Sequence, residues 1–157
     1  MELDVIRKQL DQLDQSLDYI ILLRLSLAIL VGEVKEEKHL PIVQSAREEK
    51  IYASQKQFAE QTGADTDLLT HVYKELITAA IKIEKDLGRY RLEINATETK
   101  TIEQELQKSN QVLGDFIAYM DSVKARLQEK GIVGDKVLSA LAEYYRNSFT
   151  NLNKKEL

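Results

Sequence analysis

The sequence predicts an all-α protein, and three observations support this fold class. Apolar residues recur at three- and four-residue steps over long stretches, which is the period of an amphipathic helix. The 157 residues include one proline and six glycines, so few positions favour a turn. The strict apolar–polar alternation of a half-buried strand is absent. A chain of this length is expected to form one domain, or one domain with an appendage.

The first helix is predicted to run from near the N-terminus to about Lys38. A helix of about 36 residues spans more than 50 Å, which is longer than a small domain can cover by itself. A second copy of the chain is the expected partner, so we predict a homodimer. The apolar positions that define the helix are Leu3, Ile6, Leu10, Leu13, Leu17, Ile20, Leu27, Leu30, Val31 and Val34.

Two breaks in the helical pattern define the second and third helices. Pro41 ends the first helix, Ser45 is a candidate cap, and the second helix is expected over about residues 46–61. The glycine at 63 breaks the pattern, and Asp65 is a favourable N-cap for a third helix that reaches about Leu87. The apolar positions of the third helix are Leu68, Leu69, Val72, Leu76, Ile77, Ala80, Ile81 and Ile83.

The last third of the chain predicts two more amphipathic helices, one from about Asn95 to Gly131 and one before the polar tail. We expect them to form a helical hairpin that extends the core of the dimer. Residues 1–95 and 96–157 are therefore predicted as two parts, the second without a motif for chemistry. The apolar positions are Ile102, Leu106, Val112, Leu113, Phe116, Tyr119, Met120, Val123 and Leu127, then Val137, Leu138, Leu141, Tyr144, Tyr145 and Phe149.

Composition argues against several classes of function. The net charge of -4 comes from 26 acids and 22 bases mixed along the chain, which disfavours nucleic acid as a partner. The lack of cysteine excludes thiol chemistry, and the two histidines, His39 and His71, do not suggest a metal site. The N-terminal residues lack the basic region and the apolar region of a signal peptide, so a cytoplasmic protein is expected.

An arginine inside an apolar run is the feature that points to a ligand. From Tyr19 to Val31, all residues except Arg24 and Ser26 are apolar, which is too short and too charged a run to span a membrane. A buried guanidinium needs an anion because it cannot lose its proton. Lys35 lies three turns further along the same helical face. The anion is either a distant carboxylate of the chain or a bound ligand.

Five short motifs contain this arginine or lie on either side of it in the sequence. They are L-x-x-I-R at 3–7, L-D-x-x-L at 13–17, R-x-x-L-A-x-x-V-G-x-x-K at 24–35, L-P-I at 40–42 and R-E at 47–48. Together they resemble the all-helical AroQ class of chorismate mutases over about half of the chain. The resemblance implies an intertwined dimer of three-helix protomers. It also implies a dicarboxylate substrate, no cofactor, and a place in the shikimate pathway to aromatic amino acids.

The resemblance assigns roles to five residues. An arginine like Arg24, and one like Arg7 from the other protomer, hold the two carboxylates of chorismate. A lysine like Lys35 and the residue at Glu84 flank the ether oxygen whose bond to carbon breaks. A glutamate like Glu48 accepts a hydrogen bond from the ring hydroxyl. These five residues are the predicted catalytic residues.

Three further positions complete the predicted substrate pocket. Arg47 is expected to order its edge. Gln44 stands where several relatives have aspartate, and Ala80 replaces a serine that in some relatives contacts a carboxylate. Glu84 stands where some members have glutamine, and a carboxyl group donates a hydrogen bond only when it is protonated.

Three alternatives to chorismate rearrangement stay open. An isochorismate-pyruvate lyase would share the arginines and the lysine. A 4-amino-4-deoxychorismate mutase is disfavoured by the neutral Gln44, because an acid there would suit a cationic ring substituent better. A non-catalytic helical interaction protein would gain nothing from burying these cations. About 60 further residues are too few for a fused dehydratase or dehydrogenase, so we expect a monofunctional enzyme.

Overall fold

A computed structural model describes residues 2–90 and 96–155, and only part of the side chains in the two C-terminal helices. These residues form six helices and no strand, which confirms the all-α prediction. None of these helices is long and apolar enough to cross a membrane. The helices are α1 (Leu3–Glu37), α2 (Ser45–Thr62), α3 (Thr66–Lys85), α4 (Leu87–Tyr90), α5 (Ala96–Glu129) and α6 (Asp135–Lys155).

The helix ends follow the predicted signals with one correction. The Asp65 carboxylate accepts a hydrogen bond of 3.0 Å from the backbone N–H of Leu68, so it caps α3 as predicted. Gly63 ends α2 in the left-handed conformation, with φ of 74°. The prediction of Ser45 as a cap was wrong: Ser45 is already the first helical residue, and Gln44 precedes the helix without a side-chain capping bond.

Contacts divide the chain into two compact units. One unit contains α1 to α4 together with α6, and the other contains α5. The predicted boundary at residue 95 lies outside the described residues, as do most side chains of the predicted C-terminal apolar stripe. The pairing of α5 with α6 as a hairpin therefore stays a prediction.

In the first unit, α3 packs against both α1 and α2, and the short α4 packs on α1 and α3. Small residues make the close approach of α1 and α3, since Ala28 and Gly32 are the buried positions of α1. Gly32 faces Glu84 of α3 and Leu87 of α4, both of which are buried, and Ile77 is the other buried residue of α3. The contacts between helices therefore use the C-terminal half of α1.

The start of α6 docks on the end of α2. The backbone N–H of Gly134 donates to the carbonyl of Gln61 at 3.2 Å, and Val137 is buried beside this contact. A side chain at Gly63 would overlap the backbone of Gly134 and Asp135. Glycine at 63 therefore serves both the left-handed helix end and the approach of α6.

The apolar face of α1 stays largely exposed in the single chain. Nine of its large apolar side chains are between 43% and 61% exposed. Large contiguous apolar patches that are exposed on a protein usually mark interaction surfaces. We call this surface the α1 stripe; it consists of Leu3, Leu10, Leu13, Leu17, Ile20, Leu27, Leu30, Val31 and Val34.

Candidate active site

A buried ion pair joins the last turn of α1 to the end of α3. The Lys35 Nζ donates to Glu84 Oε2 at 2.7 Å and to the carbonyl oxygen of Ile42 at 2.7 Å. The two charged side chains are 13% and 6% exposed. The C-terminal end of α1 also favours a cation, because its carbonyl groups carry partial negative charge. The ammonium is therefore held in one place by three independent features.

Sequence reasoning did not predict the residue that permits this contact. Gly32 lies one turn before Lys35, and a methyl group there would be 2.8 Å from Leu87 Cδ2 and 3.2 Å from Glu84 Cγ. The backbone of α3 is also close, with the Glu84 Cα at 3.3 Å. Any larger side chain would separate α1 from α3 and pull Glu84 away from Lys35. The glycine of the V-G-x-x-K motif was the available signal.

We expect Gly32→Ala to lower the free energy of unfolding by about 1–3 kcal/mol, because it overpacks a buried helix contact. If the pair is catalytic, kcat should also fall about tenfold as Lys35 moves. Gly114→Ala is the matched control, since Gly114 is a helical glycine with open space around it. Thermal denaturation and steady-state kinetics measure both effects. Unchanged stability and activity in Gly32→Ala would refute this role.

A cavity of about 380 Å³ lies between α1, α2 and α3, within the range of small-molecule sites. Its wall is apolar, with six polar or charged side chains set into it. The polar lining consists of Arg24, Lys35, Gln44, Arg47, Glu48 and Glu84. The apolar lining consists of Leu27, Ala28, Val31, Ile42, Ile51, Ile77, Ala80 and Ile81.

Arg24 is one of the cations of this cavity that are available to a ligand. Its guanidinium carbon lies 5.8 Å from the centre of the Tyr73 ring, a cation–π contact. Among the described residues, no carboxylate forms an ion pair with Arg24. In the single chain the Arg24 side chain is half-buried and reaches the cavity wall. An anionic ligand would complete its interactions.

The N-terminal end of α2 contributes the polar edge of the cavity. Arg47 and Glu48 lie in its first turn, and Gln44 directly precedes the helix. Arg47 is exposed, whereas Gln44 and Glu48 are half-buried. This edge therefore offers an amide, a carboxylate and a guanidinium to the polar groups of a ligand. Ala80 lines the opposite wall on α3 and adds no polar group.

Arg7 is the predicted site residue that the single chain does not bring to the cavity. Its exposed guanidinium lies 3.4 Å from the Asp4 carboxylate on the same helix. Arg7 precedes Arg24 by 17 residues, or about 25 Å along α1. The other seven predicted residues line the cavity, and their roles stay predictions.

Comparison with known proteins gives a family match for one part of the chain. Residues 6–85, about half of the chain, match the family described as chorismate mutase type II. The chain is 36% identical over 87 residues to a T-protein of Enterobacter agglomerans. It is 30% identical over 89 residues to a bifunctional chorismate mutase/prephenate dehydratase of Aquifex aeolicus (strain VF5). It is also 29% identical over 84 residues to a 4-amino-4-deoxychorismate mutase of Streptomyces pristinaespiralis.

These matches cover just over half of this chain, 54–55% in each case. They cover 23% and 25% of the first two relatives and 65% of the third, so the chain spans about a quarter of the length of the first two. No solved structure gives a significant match. The matched segment contains all of α2 and α3, most of α1, and each residue that lines the cavity. The chain belongs to the chorismate mutase type II family.

Proposed function

We propose that this protein catalyses the rearrangement of chorismate to prephenate in the cavity between α1, α2 and α3. The proposal rests on one observation: two cations, Arg24 and Lys35, lie on one face of α1 and line the cavity. Arg24 has no carboxylate partner among the described residues, and Lys35 is fixed on the same wall. A small dianion with an ether oxygen between its charged ends fits this arrangement.

The reaction is unimolecular, so positioning and charge are what the protein supplies. One ether C–O bond breaks while one C–C bond forms at the other end of the pyruvyl group, and no atom is lost or gained. Guanidinium groups bind carboxylates with two parallel hydrogen bonds. Arg24 would hold one carboxylate in this way and favour the compact conformer in which the reacting carbons are close.

Lys35 is suited to stabilise the ether oxygen. Negative charge develops on that oxygen as its bond to carbon stretches, and a fixed donor in a water-poor site stabilises it more than the ground state. An ammonium group has three N–H donors, and Lys35 uses two of them on Glu84 and Ile42. The third donor is left for the substrate. Glu84 then acts by holding the ammonium, with no need to carry a proton itself.

The proposed site needs a second copy of the chain. One carboxylate of the substrate is assigned to Arg24, and Arg7 is too far along the same helix to reach the other. Pairing two copies along the α1 stripe would bury its apolar side chains and bring Arg7 of one copy towards the cavity of the other. We therefore propose a homodimer with shared active sites, which acts on a small dicarboxylate and takes no cofactor.

The edge of α2 would determine which ring substituent is accepted. Glu48 can accept a hydrogen bond from the ring hydroxyl, and the Gln44 amide can bond the same group without adding charge. A neutral residue at 44 favours a hydroxyl over a ring ammonium. 4-Amino-4-deoxychorismate and isochorismate are further candidate substrates, because Arg24 and Arg7 would bind their two carboxylates in the same way.

We expect Gln44→Asp to raise the preference for 4-amino-4-deoxychorismate over chorismate by about tenfold, because the new carboxylate would pair with the ring ammonium. The ratio of the two kcat/KM values measures the change. Gln57→Asp is the matched control, since Gln57 is an exposed residue of the same helix that does not line the cavity. An unchanged ratio in Gln44→Asp would place the ring substituent away from residue 44.

The experiment that tests the proposed function compares three substrates at equal enzyme concentration. Chorismate, isochorismate and 4-amino-4-deoxychorismate are each incubated with the purified protein, and the products are separated by chromatography. We expect the highest kcat/KM for chorismate, with prephenate as product. Turnover of isochorismate to salicylate and pyruvate alone, or of the amino compound alone, would replace the proposed substrate.

A further inference from the structure

Helix α5 carries a heptad repeat. It is the one helix that the structure describes in its unit, so no second helix of that unit covers it. Residues spaced alternately four and three apart from 102 to 127 are apolar at seven of eight positions. This 3.5-residue period, kept over more than three heptads, is typical of a coiled coil. The a positions are Leu106, Leu113, Met120 and Leu127, and the d positions are Ile102, Ser109, Phe116 and Val123.

The opposite face of α5 fits the same register. Every b, c and f position from Lys100 to Glu129 is exposed, and none of them holds a large apolar residue. Gln111 and Asp115 occupy two of these positions and are joined by a hydrogen bond of 3.1 Å along the outer face. Helix α5 is therefore built to present one face to another helix and the other face to water.

Charged residues beside the core specify the direction of the partner helix. The e and g positions near the start of α5 hold Glu103 and Glu105, whereas those near its end hold Lys124 and Arg126. In a parallel pair of identical helices, g positions meet e positions of the next heptad, which gives no pair of opposite charges and places Glu98 opposite Glu103. A parallel pair is therefore disfavoured.

An antiparallel pair matches the four charges Glu103, Glu105, Lys124 and Arg126. There e positions face e positions and g positions face g positions, so Glu103 lies opposite Lys124, and Glu105 lies opposite Arg126. Two-fold symmetry repeats each pair, which makes four ion pairs. The acidic end of one helix is thus complementary to the basic end of a second copy.

The register that pairs the charges also aligns the core. It places Leu113 opposite Phe116 and Leu106 opposite Val123, with Ile102 opposite Leu127 at each end. The one polar core position, Ser109, lies opposite Met120, so a small residue faces a long one. The alignment that pairs the charges is therefore also one in which every a position lies opposite a d position.

We propose that α5 binds α5 of a second copy of this chain as an antiparallel two-stranded coiled coil, with its two-fold axis between positions 114 and 115. The paired segment from Ile102 to Leu127 is about 38 Å long. This interface is separate from the proposed α1 dimer and does not depend on mutase activity.

Disulfide trapping in the full-length chain tests the proposal, since the natural sequence has no cysteine. The double variant Leu106→Cys/Val123→Cys should form a covalent dimer, because each cysteine lies opposite the other type. Leu106→Cys alone and Val123→Cys alone should stay monomeric on a non-reducing gel. Two copies of the same position are about 25 Å apart in the antiparallel pair, and a disulfide needs Cα atoms within about 7 Å.

A charge swap in the double-cysteine background tests the direction of the pair. Glu103→Lys/Glu105→Lys should slow covalent dimer formation by about tenfold or more, because four attractive contacts become repulsive. Adding Lys124→Glu/Arg126→Glu should restore the original rate. A slow rate that the second swap does not restore would contradict the proposed ion pairs.

Two other results would overturn the proposal. Dimer formation by Leu106→Cys alone would indicate a parallel pair. No covalent dimer from the double variant, with helical content unchanged by circular dichroism, would show that α5 has a different partner, such as α6 in a hairpin. The measured disulfide joins the α5 helices of two chains. Association through α1 therefore does not affect either conclusion.

Discussion

Lys35→Ala is expected to lower kcat for chorismate by about 100- to 1000-fold, because it removes the donor aimed at the developing charge on the ether oxygen. The effect should appear in kcat more than in KM, since the interaction strengthens only as the C–O bond stretches. Lys38→Ala is the matched control, because Lys38 is an exposed lysine that follows α1 outside the cavity. Progress curves at saturating chorismate measure both variants.

The same substitution should reduce stability, and this effect must be separated from the loss of catalysis. Removing Lys35 leaves Glu84 as a buried carboxylate without its ion-pair partner, at a cost of about 3–5 kcal/mol. The double variant Lys35→Ala/Glu84→Gln removes both charges and should recover most of that loss, while kcat stays low. Recovery of kcat together with stability would show that Lys35 acts only in folding.

Mixing two inactive variants is expected to restore activity, which is the second large effect. Arg7→Ala and Arg24→Ala should each lower kcat/KM by about 100-fold or more, because each removes a charged bond to a substrate carboxylate. In a mixed dimer, the intact Arg24 of one chain would meet the intact Arg7 of the other. After subunits are exchanged by unfolding and refolding an equal mixture, about one quarter of the wild-type activity should return.

This fraction follows from the statistics of random pairing. Half of the dimers are mixed, and one of the two sites in each mixed dimer is complete. Refolding Arg7→Ala with the double variant Arg7→Ala/Arg24→Ala is the control, and it should restore nothing. Failure of the first mixture to recover activity, with dimers present by sedimentation, would mean that Arg7 does not act across the proposed interface.

The helices were predictable from the sequence because their signals are local. The long apolar period gives α1, Pro41 lies in the break after it, and Asp65 caps α3. The position of Lys35 relative to Arg24 was predictable for the same reason, since both lie on one helix and share the cavity wall. Periodicity and capping therefore account for the fold class and for the placement of Arg24 and Lys35 on one helical face.

The remaining features depend on how distant segments pack. Lys35 and Glu84 are 49 residues apart, and their contact exists only because α1 and α3 approach closely. That approach depends on the missing side chain of Gly32, and the Ile42 carbonyl that also binds Lys35 comes from a connecting loop. The half-buried state of Arg24 likewise reflects α3, which brings Tyr73 to it. The helical period does not encode these contacts.

The most direct test of the account is the product formed from chorismate by the purified chain, measured by chromatography in parallel with Lys35→Ala at the same protein concentration. We expect prephenate to form as the single product with the wild-type chain, and the Lys35→Ala variant to approach the uncatalysed rate. Prephenate formation that is equally fast in both proteins would contradict the role of Lys35. No turnover of chorismate by a folded, dimeric wild-type protein would contradict the proposed activity itself.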